Sequence, residues 1–292
     1  MNLHGIIKTE HRIRISKEDR PMKNDYIQTA ERIFFKHEVS ENLPCDTYSM
    51  HTHNAYELIY FVNGDATHVI EDRKYKLKKG DLILIRPLQY HFIQIDAPAK
   101  YERYDILFDV EKHGVESAEL IPADMEVINL HGNEIIEDIF RKCDLYRQHS
   151  SSDVFEKILA HLLSELFYNI ALFPRPLSSS ATSMSPLVSQ ALKYINENLC
   201  SILTIERIAE HLFVSESYMF RMFQKELHQT PKKYILEKRL FLAQKMLSDG
   251  EKPTTVCECC GFGDYATFYR NYRAFFGHSP SLAGKHTPAK PH

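Results

Sequence analysis

Glycine is scarce in this chain, 10 of 292 residues, about half of the usual ~7%. A protein built around glycine-rich phosphate loops would carry more. Long apolar runs are missing as well. The most apolar stretch, Ile158 to Phe173, is broken by His161, Ser164, Glu165 and Asn169, well short of the uncharged ~18–20 residues of a membrane span. Met1 to Arg20 is polar and lacks the apolar stretch of a signal peptide, so the cytoplasm is the expected compartment. Cysteines are few: Cys45, Cys143, Cys200, Cys257, Cys259 and Cys260, half of them in one short segment. That spacing excludes a secreted disulfide framework. With 43% hydrophobic and 26% charged residues, disorder, collagen and a coiled-coil rod are excluded too. At roughly 150 residues per domain, the length points to about two domains. The net charge of -3 hides an asymmetry: residues 185–292 carry 14 Lys/Arg against 10 Asp/Glu, and residues 1–184 carry 22 against 29. An acidic front that avoids polyanions and a mildly basic back that meets them is the reading this supports.

From Arg32 to Phe108 short apolar runs alternate with turns. The expected strands are Arg32–Val39, Leu58–Val62, Thr67–Glu71, Asp81–Arg86, Tyr90–Ile95 and Tyr101–Phe108, rich in Ile, Val, Tyr and Phe. Asn63-Gly64 reads as a two-residue hairpin, because both positions tolerate positive φ. Glu71-Asp72-Arg73-Lys74 and Lys79-Gly80 mark further turns. Many short strands at close spacing predict a small barrel or sandwich.

His51, His53 and Glu57 stand as His-x-His-x3-Glu, followed by Gly64, and a second cluster runs from Gly80 to Pro87 and on to His91. Residues i and i+2 of a strand share a face, so His51 and His53 both turn inward. The pattern resembles the paired motifs of the cupin family, in which two His and a Glu meet a third His from another strand. It departs from the family at Pro87, one place late, and at Leu88, where glycine is usual. Three imidazoles and a carboxylate suit Fe, Mn, Ni or Zn. They equally suit a wet pocket that hydrogen-bonds a small molecule, or a structural polar cluster. The working assignment is an effector pocket at His51, His53, Glu57 and His91, with no cofactor and no metal required.

After Leu130 the period becomes helical. Ile135, Ile139, Cys143 and Tyr146 predict one amphipathic helix. A second runs from about Asp153, with an apolar stripe of Phe155, Ile158, Leu159, Leu162, Leu163, Leu166, Phe167 and Ile170. A stripe this broad predicts a homodimer through residues 153–170 as well as packing on the barrel. Pro174 to Ser183 is Pro/Ser-rich and reads as a flexible linker.

Residues 185–283 repeat themselves. Ile208–Val214 aligns with Val256–Phe262 at an offset of 48; Gly263 is then inserted, and Ser215, Arg221, Phe223 and Thr230-Pro231 align with Asp264, Arg270, Tyr272 and Ser279-Pro280. In each unit a short helix with a small residue, Ala209 or Cys257, precedes a tight turn and a capping residue, Ser215 or Asp264, that starts a second helix. Two short helices crossing over a turn make a helix-turn-helix. Between the units Thr230 is an N-cap, Pro231 suits the first helical position, and Leu236, Leu240, Ala243 and Leu247 give a 3.6 period. About 18 residues at ~1.5 Å span roughly 27 Å, close to the ~34 Å between successive major-groove faces.

Leu187–Leu282 resembles the DNA-binding domain of the AraC/XylS family of transcription regulators. The resemblance is carried by Leu203–Ala209, Val214–Phe223, Arg239–Leu247, Cys260–Arg270 and Phe276–Pro280. The front half resembles the cupin-like sensor domain common in that family. The implied fold class is α+β: a cupin-like barrel with a helical hinge (1–173), a linker (174–185), and two helix-turn-helix units joined by a long helix (186–284). The implied reading surface is Ser217, Tyr218, Phe220, Arg221 and Gln224 in the first head, and Tyr265, Ala266, Thr267, Tyr269 and Arg270 in the second. Arg221 and Arg270 suit bidentate guanine contacts, Phe220 a thymine methyl, and Lys225, Lys232 and Lys233 the phosphates. The implied protein is an activator that binds double-stranded promoter DNA, meets RNA polymerase and answers to a small-molecule effector such as a sugar. The rival reading is a metal-dependent cupin enzyme with an accessory helical half. Gly261-Phe262-Gly263-Asp264-Tyr265-Ala266 imitates a dinucleotide loop, but a helix precedes it where that motif needs a strand. Cys257, Cys259 and Cys260 lack a second cluster to complete a zinc site and read as packing groups.

Overall fold

The computed structural model describes residues 32–41, 43–44, 48, 50–172 and 181–283. Met1–Arg20, Cys45, Pro174–Ser180 and residue 284, on which parts of the sequence reading rest, lie outside the described residues.

The front half is built on β1 (Phe34–Glu41), β2 (Tyr56–Asn63), β3 (Ala66–Ile70), β4 (Arg73–Lys76), β5 (Asp81–Ile85), β6 (His91–Ile95), β7 (Lys100–Phe108) and β8 (Val127–Asn129). They form two antiparallel sheets, β1-β7-β2-β5-β8 and β6-β3-β4, with β9 (Thr182–Ser183) added beside β4. Alternation decides what each face meets. Leu58, Tyr60, Leu84 and Ile106 turn outward onto the helices, whereas Ile59, Phe61, Ile83, Ile93 and Ile95 fill the space between the sheets.

The strand reading holds in its main runs and departs from the structure at five places. β4 lies partly in a segment read as a turn, and β8 and β9 carry too few residues to show a period. The first strand runs to Glu41, since Ser40 and Glu41 pair with Tyr101 and Lys100. Asn63-Gly64 is not a hairpin: β2 pairs with β5 and β7, while β3 pairs with β4 and β6. Gly64, at φ 142, turns a corner that passes the chain from one sheet to the other. The two-residue hairpin is Glu71-Asp72, between the paired Ile70 and Arg73.

Beyond β7 come α1 (Val110–His113), α2 (Glu134–His149) and α3 (Ser152–Leu172). α2 buries Ile136, Ile139, Phe140 and Cys143, so its core face is rotated from the predicted one and leaves Ile135 and Tyr146 exposed. α3 buries Phe155, Leu159, Leu162, Leu163, Leu166, Phe167 and Ile170 in the same core as Leu58 and Ile106. Most of the stripe is therefore packed within the chain, while Val154, Tyr168 and Leu172 of α3 stay exposed.

The back half holds α4 (Pro186–Glu197), α5 (Ile205–His211), α6 (Glu216–Leu227), α7 (Pro231–Ser248), α8 (Pro253–Cys259) and α9 (Tyr265–Phe276). Ser185, Thr204, Ser215, Thr230 and Asp264 each accept the backbone N–H three residues on, at Val188, Arg207, Tyr218, Lys233 and Thr267. Such caps satisfy helix-end donors that would otherwise need water. The linker reading ends early: β9 pairs with β4, and Met184 is buried with its N–H on the Asp72 carbonyl at 2.8 Å. The two halves also share a core. Val69, Tyr90 and Phe92 of the barrel join Val188, Ile208, Met219, Phe223 and Tyr234 in one apolar cluster.

Candidate functional site

Two sites follow from this frame, one inside the barrel and one on the helices. In the barrel, His51, His53, Glu57 and His91 come together as expected, and one ligand atom from each lies within 4.8 Å of the others. His51 and His91 meet in an isolated antiparallel bridge, with N–H to carbonyl distances of 3.1 and 3.0 Å. His53, Glu57 and His91 are buried to within 2%.

The orientation of the rings is informative. His53 Nδ1 lies 3.1 Å from the Ala55 carbonyl, and His91 Nδ1 lies 3.0 Å from the Gln89 carbonyl. A carbonyl only accepts, so each Nδ1 carries the hydrogen. In the neutral ring that leaves a lone pair on each Nε2, and both Nε2 atoms stand 2.8 Å from Glu57 Oε2. Two lone pairs facing a carboxylate repel unless a proton or a cation lies among them. Burial holds the His53 pKa below its ordinary value and so disfavours the proton. For Glu57 burial pushes the other way, but the neighbouring His91 and His53 imidazoles hold its carboxyl well below the usual range. Imidazoles fixed through Nδ1 on carbonyls, with Nε2 converging beside a carboxylate, are the arrangement that metal-binding histidines adopt. The donor set thus fits a transition metal such as zinc, iron or manganese.

The sequence reading missed a second polar group next to this one. Arg103 is buried, with Nη2 3.0 Å from Asp105 Oδ2 and Nε 3.3 Å from Glu38 Oε2, over the Tyr48 ring at 4.7 Å. Burial, with Glu57 beside it, raises the Asp105 carboxyl well above the carboxylate range. His68 is fully buried, neither ring nitrogen has a hydrogen-bond partner, and its ring lies parallel to His91 at 6.1 Å. The signal was available: Tyr101, Arg103 and Asp105 alternate along β7 and so share its inward face.

On the helices, the ten residues expected to read DNA lie on α6 and α9. Ser217, Tyr218, Phe220, Arg221 and Gln224 are exposed on α6; Tyr265, Ala266 and Arg270 are exposed on α9, with Thr267 and Tyr269 half-buried. The Arg221 guanidinium lies 5.7 Å from the centre of the Tyr218 ring, and Arg270 Nη2 donates to Thr267 Oγ1 at 3.1 Å. Lys225 is exposed near the end of α6, and Lys232 and Lys233 are exposed in the first turn of α7. Cys257 and Cys260 are buried with Phe268 and Tyr272 as packing groups, whereas Cys259, expected to pack with them, is exposed.

Residues 39–167 match the family model described as an AraC-like ligand binding domain, and residues 208–285 match a helix-turn-helix domain model. The probable transcriptional regulator LumQ of Photobacterium leiognathi is 29% identical over 30% of this chain and 36% of its own length. The HTH-type transcriptional regulator ArgR of Pseudomonas aeruginosa is 35% identical over 36% of this chain and 32% of its own. The chain thus spans about a third of the length of these two relatives. The raffinose operon transcriptional regulatory protein RafR of Pediococcus pentosaceus is 23% identical over 87% of this chain and 92% of its own length. All three relatives are named as transcriptional regulators. Among the described residues no helix is long and apolar enough to cross a membrane.

Proposed function

We propose that this chain, which belongs to the AraC family of transcription regulators, binds double-stranded promoter DNA through α6 and α9 and is switched by an effector in the barrel. The observation that carries the reading is the paired heads. Two helices capped alike expose Arg221 and Arg270 at equivalent places, and the 18-residue α7 separates them. Arg can bridge guanine O6 and N7, whereas Lys225, Lys232 and Lys233 serve the phosphates without specifying sequence. The chain works in the cytoplasm as an activator that meets RNA polymerase, which is the family's habit.

The test is affinity selection of duplexes by the full chain, followed by titration of Arg221→Ala and Arg270→Ala. Each should cost about 1–3 kcal/mol and relax base preference in a different half of the site. Unchanged affinity and unchanged preference in both variants would sink the reading.

The effector acts at His51, His53, Glu57 and His91. The relative named for a raffinose operon makes a sugar one choice. A second reading, that the site holds a metal ion, is favoured by the two Nε2 lone pairs that converge on Glu57 at 2.8 Å. His51, His53, Glu57 and His91 would hold the ion, which when bound supplies a Lewis acid for oxygen donors of the effector. Metal analysis of wild type and Glu57→Gln decides between them.

A further inference from the structure

The two extended segments that carry the histidines have two faces. On segment 50–53, His51 and His53 belong to the buried cluster. Met50 and Thr52, one residue out of phase, look the other way: Met50 Sδ receives a hydrogen bond from Gln229 Nε2 at 2.9 Å, and Thr52 lines a cavity of about 260 Å³ with Asn196, Lys238 and Phe241. Residues 90–92 repeat the pattern. His91 points into the cluster, while Tyr90 and Phe92 join the core of the first reading head; Leu88, in the preceding turn at φ 68, packs on the cluster of α7 and the second head. The two segments are tied together through the His51–His91 bridge and through the Leu88 N–H on the His53 carbonyl at 2.9 Å. Period-two geometry thus puts the sensing groups and the domain contacts on opposite faces of the same backbone.

The outer face ends in a polar clamp on α7. Tyr90 stacks on Tyr234 at 4.4 Å and donates its hydroxyl to Glu237 Oε2 at 2.9 Å. Glu71, in the hairpin beside it, accepts three hydrogen bonds: from the Tyr90 N–H at 3.0 Å, the Tyr234 hydroxyl at 2.8 Å and Lys238 Nζ at 2.8 Å. Lys238 Nζ also donates to Asn196 Oδ1 at 2.7 Å. A charged pair this buried is strongly sensitive to misplacement, because a shift strands charge in a poor solvent. α7 is also the helix on which both heads are mounted.

We propose that segments 50–53 and 88–92 transmit the state of the His/Glu site to the reading heads, with Glu71, Tyr90, Tyr234 and Lys238 as the clamp through which α7 feels it. This rests on the reading of that site as the sensor and of α6 and α9 as the DNA-binding helices. Drawing His91 toward its partners moves Tyr90, its neighbour in the chain, and pulls on Leu88 through the turn that precedes it. The reading helices are exposed while the clamp is closed, so the clamp acts on how the heads are held and not by covering them.

The experiment is a double-mutant cycle on DNA affinity, using the full chain and a duplex that the wild type selects from a random pool. One change is in the site, Glu57→Gln. The other is in the clamp, Tyr90→Phe or, independently, Lys238→Met. Site and clamp changes should be non-additive: the effect of Glu57→Gln on duplex affinity should fall by about fivefold or more in either clamp variant, the lower end of ordinary allosteric coupling. Effects that multiply to within about twofold in both cycles would overturn the proposal. Tyr90→Phe removes only a hydroxyl, so it keeps the cycle interpretable should Lys238→Met fail to fold. Zinc uptake, measured on the same samples with zinc ion alone, separates the two readings: a wild type that takes up none defeats the metal reading of the site, whereas additive cycles defeat the coupling.

Discussion

The first reading head closes its core against the barrel, whereas the second closes its own against α7. Met219, Phe223 and Leu227 of α6 pack in a cluster that includes Val69, Tyr90 and Phe92. Phe268, Tyr272 and Phe276 of α9 pack with Leu240, Phe241, Val256 and Cys260, and the barrel contributes only Leu88. The caps are equivalent, and so is the order of small, apolar and exposed residues. Local chemistry therefore makes the two units alike, and tertiary context makes them different in what they pack against. The barrel packs on the first unit directly and on the second mainly by way of α7.

The largest expected effect breaks this comparison at its base. Phe223 and Tyr272 occupy equivalent positions and both are fully buried. Phe223→Ala and Tyr272→Ala should each cost about 3–5 kcal/mol, as large aromatic truncations do. Their reach should differ. Phe223 touches Tyr234 edge-on at 6.3 Å, and Tyr234 stacks on Tyr90, so Phe223→Ala should speed amide exchange at residues 90–92 of the barrel. Tyr272→Ala should leave those amides as protected as in wild type. Equal loss of protection in the two variants would mean that the heads are embedded alike.

Much of this was legible in the sequence, and the misses have physical causes. Thr230-Pro231, Ser215 and Asp264 mark helix starts correctly because capping is a local bond between near neighbours. The His51, His53, Glu57 and His91 set was legible because period two and the cupin-like pattern agree. The Glu71–Tyr90–Tyr234–Lys238 clamp was not, since its members are up to 167 residues apart and each looks like an ordinary surface residue. The Asn63-Gly64 error has the same origin: the dipeptide specifies a tight change of direction, and only sheet pairing tells a hairpin from a corner.

A smaller effect of opposite signs sharpens the comparison at the turns. Phe213 and Gly261 are equivalent in the repeat, and both lie in the left-handed region, at φ 55 and φ 72. The non-glycine residue carries strain of about 1–2 kcal/mol there, and the Phe213 ring is 96% exposed and gives little packing in return. Phe213→Gly should therefore stabilise the protein, by up to about 1 kcal/mol once glycine's greater chain entropy is subtracted. Gly261→Ala should destabilise it by about 1 kcal/mol or more. A Cβ there would sit 2.9 Å from the Leu199 and Ser201 carbonyls, which Arg239 already ties down at 2.9 and 2.7 Å. Urea titrations of both variants measure the signs. A destabilising Phe213→Gly would mean that the ring or its turn is held by something other than local backbone preference.

The smallest effect separates the heads by pH. Ser215 caps α6 with a hydroxyl, which does not titrate in the useful range, whereas Asp264 caps α9 with a carboxylate. Accepting the Thr267 N–H holds the Asp264 carboxyl below its ordinary value of 3.8. A folded-state pKa depressed in this way contributes stability that is fully present above the unfolded value and is lost as the pH falls through the folded one. The first turn of α9 should accordingly fray before that of α6 as the pH is lowered below 3.8. Asp264→Ser should abolish the difference, because both heads would then carry a hydroxyl cap. Amide protection at Thr267 and Tyr218, compared between about pH 5 and pH 3 in wild type and Asp264→Ser, reads the effect directly. Should Thr267 lose protection equally in both proteins, acid would be acting on the whole domain, and the carboxylate cap would not be what distinguishes the second head from the first.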